Sequence, residues 1–175
     1  MPVNGSELNA SVSTYQGIDG SNTTIAGLEE KIMGKRGSAS VFTGIGTDFS
    51  SYASYVVDFK GSFNYDRNGI LGQNLRVRNN IKTNKQSTTQ VRYSPLTVNV
   101  PVGDKTSVYI NPHYSGTINY QSGKWTNSAG VFAGVTQKIG DNTAISLEAQ
   151  RYNLQDIKDN SSKNWSVNAI VTYKF

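Results

Sequence analysis

The stretch from Ala53 to Asp66, ASYVVDFKGSFNYD, alternates along most of its length. Tyr55, Val57, Phe59, Gly61, Phe63 and Tyr65 fall on one face of an extended chain, and Asp58, Lys60, Ser62 and Asn64 on the other. Working outward with the same period of two gives ten segments: 7 to 18, 23 to 34, 37 to 49, 53 to 66, 70 to 83, 87 to 102, 105 to 120, 124 to 139, 143 to 156 and 162 to 175. Most run 12 to 15 residues. Soluble domains use strands of about 5 to 6 residues, whereas a tilted membrane-crossing strand needs about 9 to 11 plus its interfacial ends. Length therefore favours an up-and-down antiparallel transmembrane β-barrel of ten strands, a single domain over residues 1 to 175. The second segment is ambiguous, because Ile25, Leu28, Ile32 and Met33 also fit helical spacing. The alternative is eight strands starting at Gly37, with the N-terminal arm or helix as a plug or extra edge.

Composition agrees with a β-rich folded chain. Of 175 residues, 36% are hydrophobic and 17% charged, and no run of 18 apolar residues exists, so a helical membrane protein is excluded. Ten Tyr, six Phe and two Trp separate it from disordered chains. The absence of cysteine rules out disulfides, thiol catalysis and Cys-based zinc sites. A net charge of +5 permits contact with phosphates or anionic lipid without demanding it. The start, Met1 to Ser6, has no basic n-region and no apolar h-region, and the expectation is a mature chain carrying a new initiator Met.

Turns alternate in length. Gly34 to Gly37, Asp66 to Gly69, Gly103 to Lys105 and Gly140 to Asn142 are tight and rich in glycine and Asx, which supply hairpin backbone angles. Longer loops are expected around 19 to 22, 50 to 53, 83 to 87, 121 to 123 and 157 to 161. Outer-membrane barrels have this alternation, and ten strands place both termini on the tight-turn side. In segment 87 to 102 the outward phase shifts from Thr89, Val91 and Tyr93 to Leu96, Val98 and Val100, so a bulge near Ser94 and Pro95 is required. The expected pairing then sets Val100 against Val108 and Leu96 against Pro112, a seam weakened by two prolines.

Alternation alone cannot say which face is inside, but position along the strand can. With the apolar face outward, Tyr55, Tyr120, Trp125 and Trp165 gather at the long-loop ends and Tyr65, Tyr173 and Phe175 at the tight-turn ends, making two aromatic girdles around an apolar band. The opposite face would be the lumen. It carries Asp58, Lys60, Arg76, Arg78, Arg92, His113 and Glu148, where the basic charges must be offset by Asp58 and Glu148, by water or by bound anions. Two readings stay open, a structural polar plug and a cationic constriction favouring anions.

The last strand narrows the class. Trp165, Val167, Ala169, Val171, Tyr173 and Phe175 alternate with Asn164, Ser166, Asn168, Ile170, Thr172 and Lys174, and the chain stops on an aromatic. This resembles the C-terminal signature of bacterial outer-membrane β-barrel proteins. The resemblance implies localisation in the bacterial outer membrane, contact with its lipid and lipopolysaccharide, and use of Phe175 as a signal to the barrel-assembly machinery.

Catalytic motifs are weak. His113, Tyr114 and Ser115 are similar to the His and Ser pair of outer-membrane lipid A deacylases, but that family needs an acidic residue about a dozen positions on, and Gln121 to Gly134 contains none. With one histidine no His-rich metal site can form, so no metal or other cofactor is expected. No basic stripe with interleaved exposed aromatics points to nucleic acid. The leading expectation is a non-enzymatic barrel with a structural, adhesive or accessory role beside an envelope protein partner. A narrow anion-selective pore is the alternative, followed by a soluble barrel that binds an apolar ligand.

Overall fold

The structure is a computed structural model and describes residues 3–17, 22–50, 53–82, 87–155 and 164–175. Ten strands follow one another: β1 Val3–Gly17, β2 Asn22–Gly34, β3 Gly37–Thr47, β4 Ala53–Asn64, β5 Leu71–Lys82, β6 Thr88–Pro101, β7 Thr106–Asn119, β8 Trp125–Lys138, β9 Thr143–Arg151 and β10 Trp165–Lys174. Each pairs antiparallel with its neighbours in sequence, and β1 pairs with β10 to close the barrel. The first residues of β1 run past the end of β10 and pair with β2 alone, and the first residues of β8, before Val131, pair with β7 but not with β9. Both chain ends lie beside the tight turns, Val3 against Gly34 and Tyr173 against Thr143.

β2 settles the ambiguity in favour of a strand. Its ladder to β1 runs from Asn22 to Gly34, and its ladder to β3 from Thr24 to Met33. A ten-residue helix is marginal alone, whereas the strand satisfies its backbone on both sides. The apolar residues that fitted helical spacing divide between the two faces, Ile25 buried inside and Leu28 and Ile32 exposed outside.

The proline seam differs in detail from expectation. Between the pairs Tyr93 with Tyr114 and Val98 with Ile110, β6 advances five residues while β7 advances four, so β6 carries one extra residue. Val100 does pair with Val108, but no rung joins Leu96 to Pro112, because the bulge opens the ladder where neither proline can donate. The same extra residue shifts β6 against β5 between Gly72 and Asn74. β9 is also shorter than its segment. Asn153 adopts φ 53°, and the chain leaves β10 to lie along β8, where the Leu154 N–H donates to the Ala129 carbonyl at 2.9 Å.

Among the tight turns, 65 to 70 is held by one side chain. Asp66 accepts backbone N–H bonds from Leu71 at 2.7 Å, Asn68 at 3.0 Å and Ile70 at 3.2 Å, while Gly69 takes φ 70°. These donors hold the Asp66 carboxyl below the usual carboxylate range, the Leu71 bond contributing most. Of the long connections, 18–21, 51–52, 83–86 and 156–163 lie outside the described residues.

Burial is inverted relative to a soluble domain. Among the described residues the buried apolar set is Ile25, Phe42 and Val56, while Asn9, Ser54, Asp58, Asn111, His113, Gln150, Asn164 and Asn168 are all buried. Outside, Leu8, Val12, Leu28, Val41, Ile45, Phe59, Leu75, Ile110, Leu147, Val167 and Val171 are exposed all round the barrel. Such a continuous apolar girth far exceeds the patches that soluble monomers tolerate.

Candidate functional site

The interior is built from alternate residues of every strand, so its chemistry follows from register. Lys60 on β4 stands opposite Arg76 on β5, which stands opposite Arg92 on β6. Three cations thus occupy adjacent positions on one rung, an arrangement that repels unless counter-charges intervene. One rung up, Asp58 stands opposite Arg78.

Asp58 is the main counter-charge. Its side chain is fully buried and accepts from Arg76 Nε at 2.8 and 2.7 Å, from Arg76 Nη2, and from Arg78 Nε at 3.1 Å and Nη2 at 3.0 Å. One carboxylate therefore serves two guanidinium groups. Lys60 is tied elsewhere, donating to Glu29 Oε1 at 2.9 Å, and Ser40 donates to the same oxygen at 2.7 Å. Glu29 lay in the segment whose helix and strand readings competed, so its inward aim could not be fixed without the strand assignment.

Glu148 faces the lumen as expected, but its direct contacts are not arginines. Tyr109 donates to its Oε2 at 3.1 Å and Asn168 to its Oε1 at 2.7 Å, and among the described residues no arginine is ion-paired to it. The reason is topological: β9 lies across the barrel from β5, whereas β4 places Asp58 next to β5. Arg92 lies 5.5 Å from the Phe132 ring centroid, and its Nε is buried without an acceptor. Phe132 also meets His113, with ring centroids 5.3 Å apart, and Tyr109 at 6.3 Å.

These groups form a layer across the barrel. On its long-loop side is a cavity of about 480 Å³, and on its tight-turn side one of about 390 Å³. Glu29, Lys60, Arg76, Arg92, Phe132 and Glu148 line both.

His113 is buried. Its Nδ1 lies 3.4 Å from the Asn111 carbonyl oxygen, and the Gln150 amide nitrogen faces its Nε2 at 3.4 Å. Gln150 accepts in turn from Tyr152 at 2.8 Å. Ser115 donates to the Ser128 carbonyl at 3.3 Å, away from His113, so the two do not form a nucleophile and base pair. Among the described residues no cluster of His, Cys, Asp or Glu could hold a metal ion.

On the outer face Tyr55, Tyr120 and Trp125 are exposed at the long-loop ends, with Trp165 beside them and covered on one side by Arg151, 5.4 Å from its ring. Tyr65, Tyr173 and Phe175 are exposed at the tight-turn ends. The hydroxyls find partners: Tyr65 donates to the Pro95 carbonyl at 2.8 Å, and Tyr120 lies 2.7 Å from the Thr89 hydroxyl. Tyr93, read as outward from the sequence, faces Tyr114 across β6 and β7 on the outer surface, and Tyr114 is the one whose outward position sequence reading missed.

No family model and no curated protein matches the chain. Among solved structures it is similar to the beta domain of the Bordetella autotransporter BrkA, at 10% identity over 98% of this chain and 99% of that one, with a TM-score of 0.52. The KdgM porin matches at 13% identity over 95% and 99% of the two chains, with a TM-score of 0.48. The loop L8 deletion mutant of OmpT, an outer membrane protein of Vibrio cholerae, matches at 13% identity and a TM-score of 0.43 over 88% of this chain and 54% of that one, so the chain spans about half its length. At these identities the likeness is one of fold. Closed, antiparallel and ten-stranded, with an apolar exterior and a polar interior, the chain has the architecture of an outer-membrane β-barrel.

Proposed function

We propose that this protein is a small barrel of the bacterial outer membrane whose role is structural or interactive, as an adhesin, a surface-binding protein or an accessory subunit of an envelope complex, and that its charged layer is a septum rather than a conduit. The observation that carries this reading is the Asp58 carboxylate, fully buried and bonded to both Arg76 and Arg78. Side chains bonded to one another in mid-lumen occupy the path an ion would take between the two cavities. Purified protein in planar bilayers should give no stepwise conductance. A steady open-channel current with anion preference would overturn the septum and favour the narrow pore, the second reading, which draws on the six residues shared by the two cavities.

Lipid and lipopolysaccharide would surround the apolar belt, and an envelope protein would meet the barrel at its loops. Assembly would begin at β10. Phe175 is 67% exposed; its N–H donates to the Leu8 carbonyl at 3.0 Å and its ring meets Tyr173 edge-on at 5.2 Å. One hydrogen bond contributes about 1 kcal/mol, so deleting Phe175 should barely change refolding in detergent. In cells the same deletion should cut membrane insertion severalfold, because the barrel-assembly machinery would lose its signal. Equal outer-membrane yields for the deletion and the parent would remove that role.

A further inference from the structure

The three carboxylates of the charged layer are all committed. Asp58 serves Arg76 and Arg78, Glu29 serves Lys60 and Ser40, and Glu148 serves Tyr109 and Asn168. Arg92 is the cation left over. Among the described residues it forms no ion pair, and its Nε is buried without an acceptor. Phe132 stacks on the guanidinium but offers a π face, which balances some charge and accepts none of the in-plane N–H bonds. Arg76, in register beside it, adds a second positive charge to the same place. A half-buried guanidinium without a counter-charge beside another is costly, and the cost falls when an anion supplies acceptors.

We propose that Arg92, with Arg76 beside it, holds a small oxyanion in the lumen, a phosphate-like or carboxylate group accepting from the guanidinium N–H groups that Arg92 turns to the cavities. Space is present, since Arg92 lines both cavities, and a planar guanidinium suits the paired oxygens of such groups. The site goes beyond the septum reading and does not rest on it. An anion seated there is compatible with a sealed layer or with a slow leak, and conductance reports on the septum separately.

The test uses the whole chain refolded in detergent with ¹⁵N in its arginine side chains, titrated with inorganic phosphate against chloride at fixed ionic strength. The Arg92 Nε–H resonance should shift saturably, while those of Arg36 and Arg67 in the exposed turns should drift linearly, if at all. In the R92Q variant phosphate affinity, read from the dependence of the unfolding midpoint on phosphate, should fall at least about tenfold, the loss expected for one charge-assisted hydrogen bond. Should R92Q fail to fold, R92K keeps the charge without the guanidinium donors and should still bind phosphate severalfold more weakly. An Arg92 signal that follows Arg36 and Arg67, or affinity unchanged in R92Q or R92K, overturns the site.

Discussion

Asp58→Asn is expected to lower the unfolding free energy of the refolded barrel by about 3 to 5 kcal/mol, the range found when one partner of a buried ion pair is removed. The substitution is isosteric and leaves the packing of β4 against β5 intact. What it removes is the single negative charge beneath Arg76 and Arg78, whose side chains are 19% and 15% exposed and cannot swing fully into water. With Lys60 held by Glu29, the three guanidinium groups of Arg76, Arg78 and Arg92 would face one another without a direct ion-pair partner. Glu148→Gln is the natural contrast. Its amide oxygen keeps the acceptor for Asn168, its NH2 can donate to a reoriented Tyr109 hydroxyl, and the change should cost about 1 kcal/mol. Reversible urea unfolding of the two variants measures the difference. A loss below about 1 kcal/mol for Asp58→Asn would mean that water already solvates the arginines and that the layer is not a septum.

Leu147→Arg should destabilise the barrel in lipid vesicles by about 2 to 4 kcal/mol, the cost of a guanidinium near the bilayer midplane of an outer-membrane barrel. Leu147 lies halfway along β9 on the outer face, between Val135 and Ala169, and is 55% exposed. Ile139, also 55% exposed, follows β8 at a tight turn, and Ile139→Arg should cost about 0 to 1 kcal/mol because the interface tolerates charge. Equal exposure with unequal cost is a property of lipid. On a wet surface both changes would fall within about 0.5 kcal/mol, and that result would place water against the belt.

Much of the barrel was legible because its signal is local. Alternation in 53 to 66 and 165 to 175 depends only on neighbouring residues, so strand number, outward set and girdles follow from the period and from the long stretches it spans. What the period could not supply is pairing. Which carboxylate reaches the arginines depends on strand adjacency and register, and sequence alone does not rank Asp58, one rung from Arg76 on a neighbouring strand, above Glu148 across the barrel. Glu29 was hidden for another reason: Ile25, Leu28, Ile32 and Met33 satisfy two periods, and only the ladders to β1 and β3 turn Glu29 inward. The glycines show a third kind of concealment. Gly134 stands opposite Tyr109, where a Cβ would come within 2.6 Å of the tyrosine ring and of the Leu147 carbonyl, a cross-strand fit that no single segment displays.

Whether the apolar exterior needs lipid is the claim on which the rest depends, and refolding from urea measures it most directly. Diluted into vesicles, the chain should become a β-rich monomer that co-sediments with lipid; diluted into plain buffer, it should aggregate, because the exposed belt has no solvent there. A monodisperse, β-rich monomer in buffer without detergent or lipid would contradict the account.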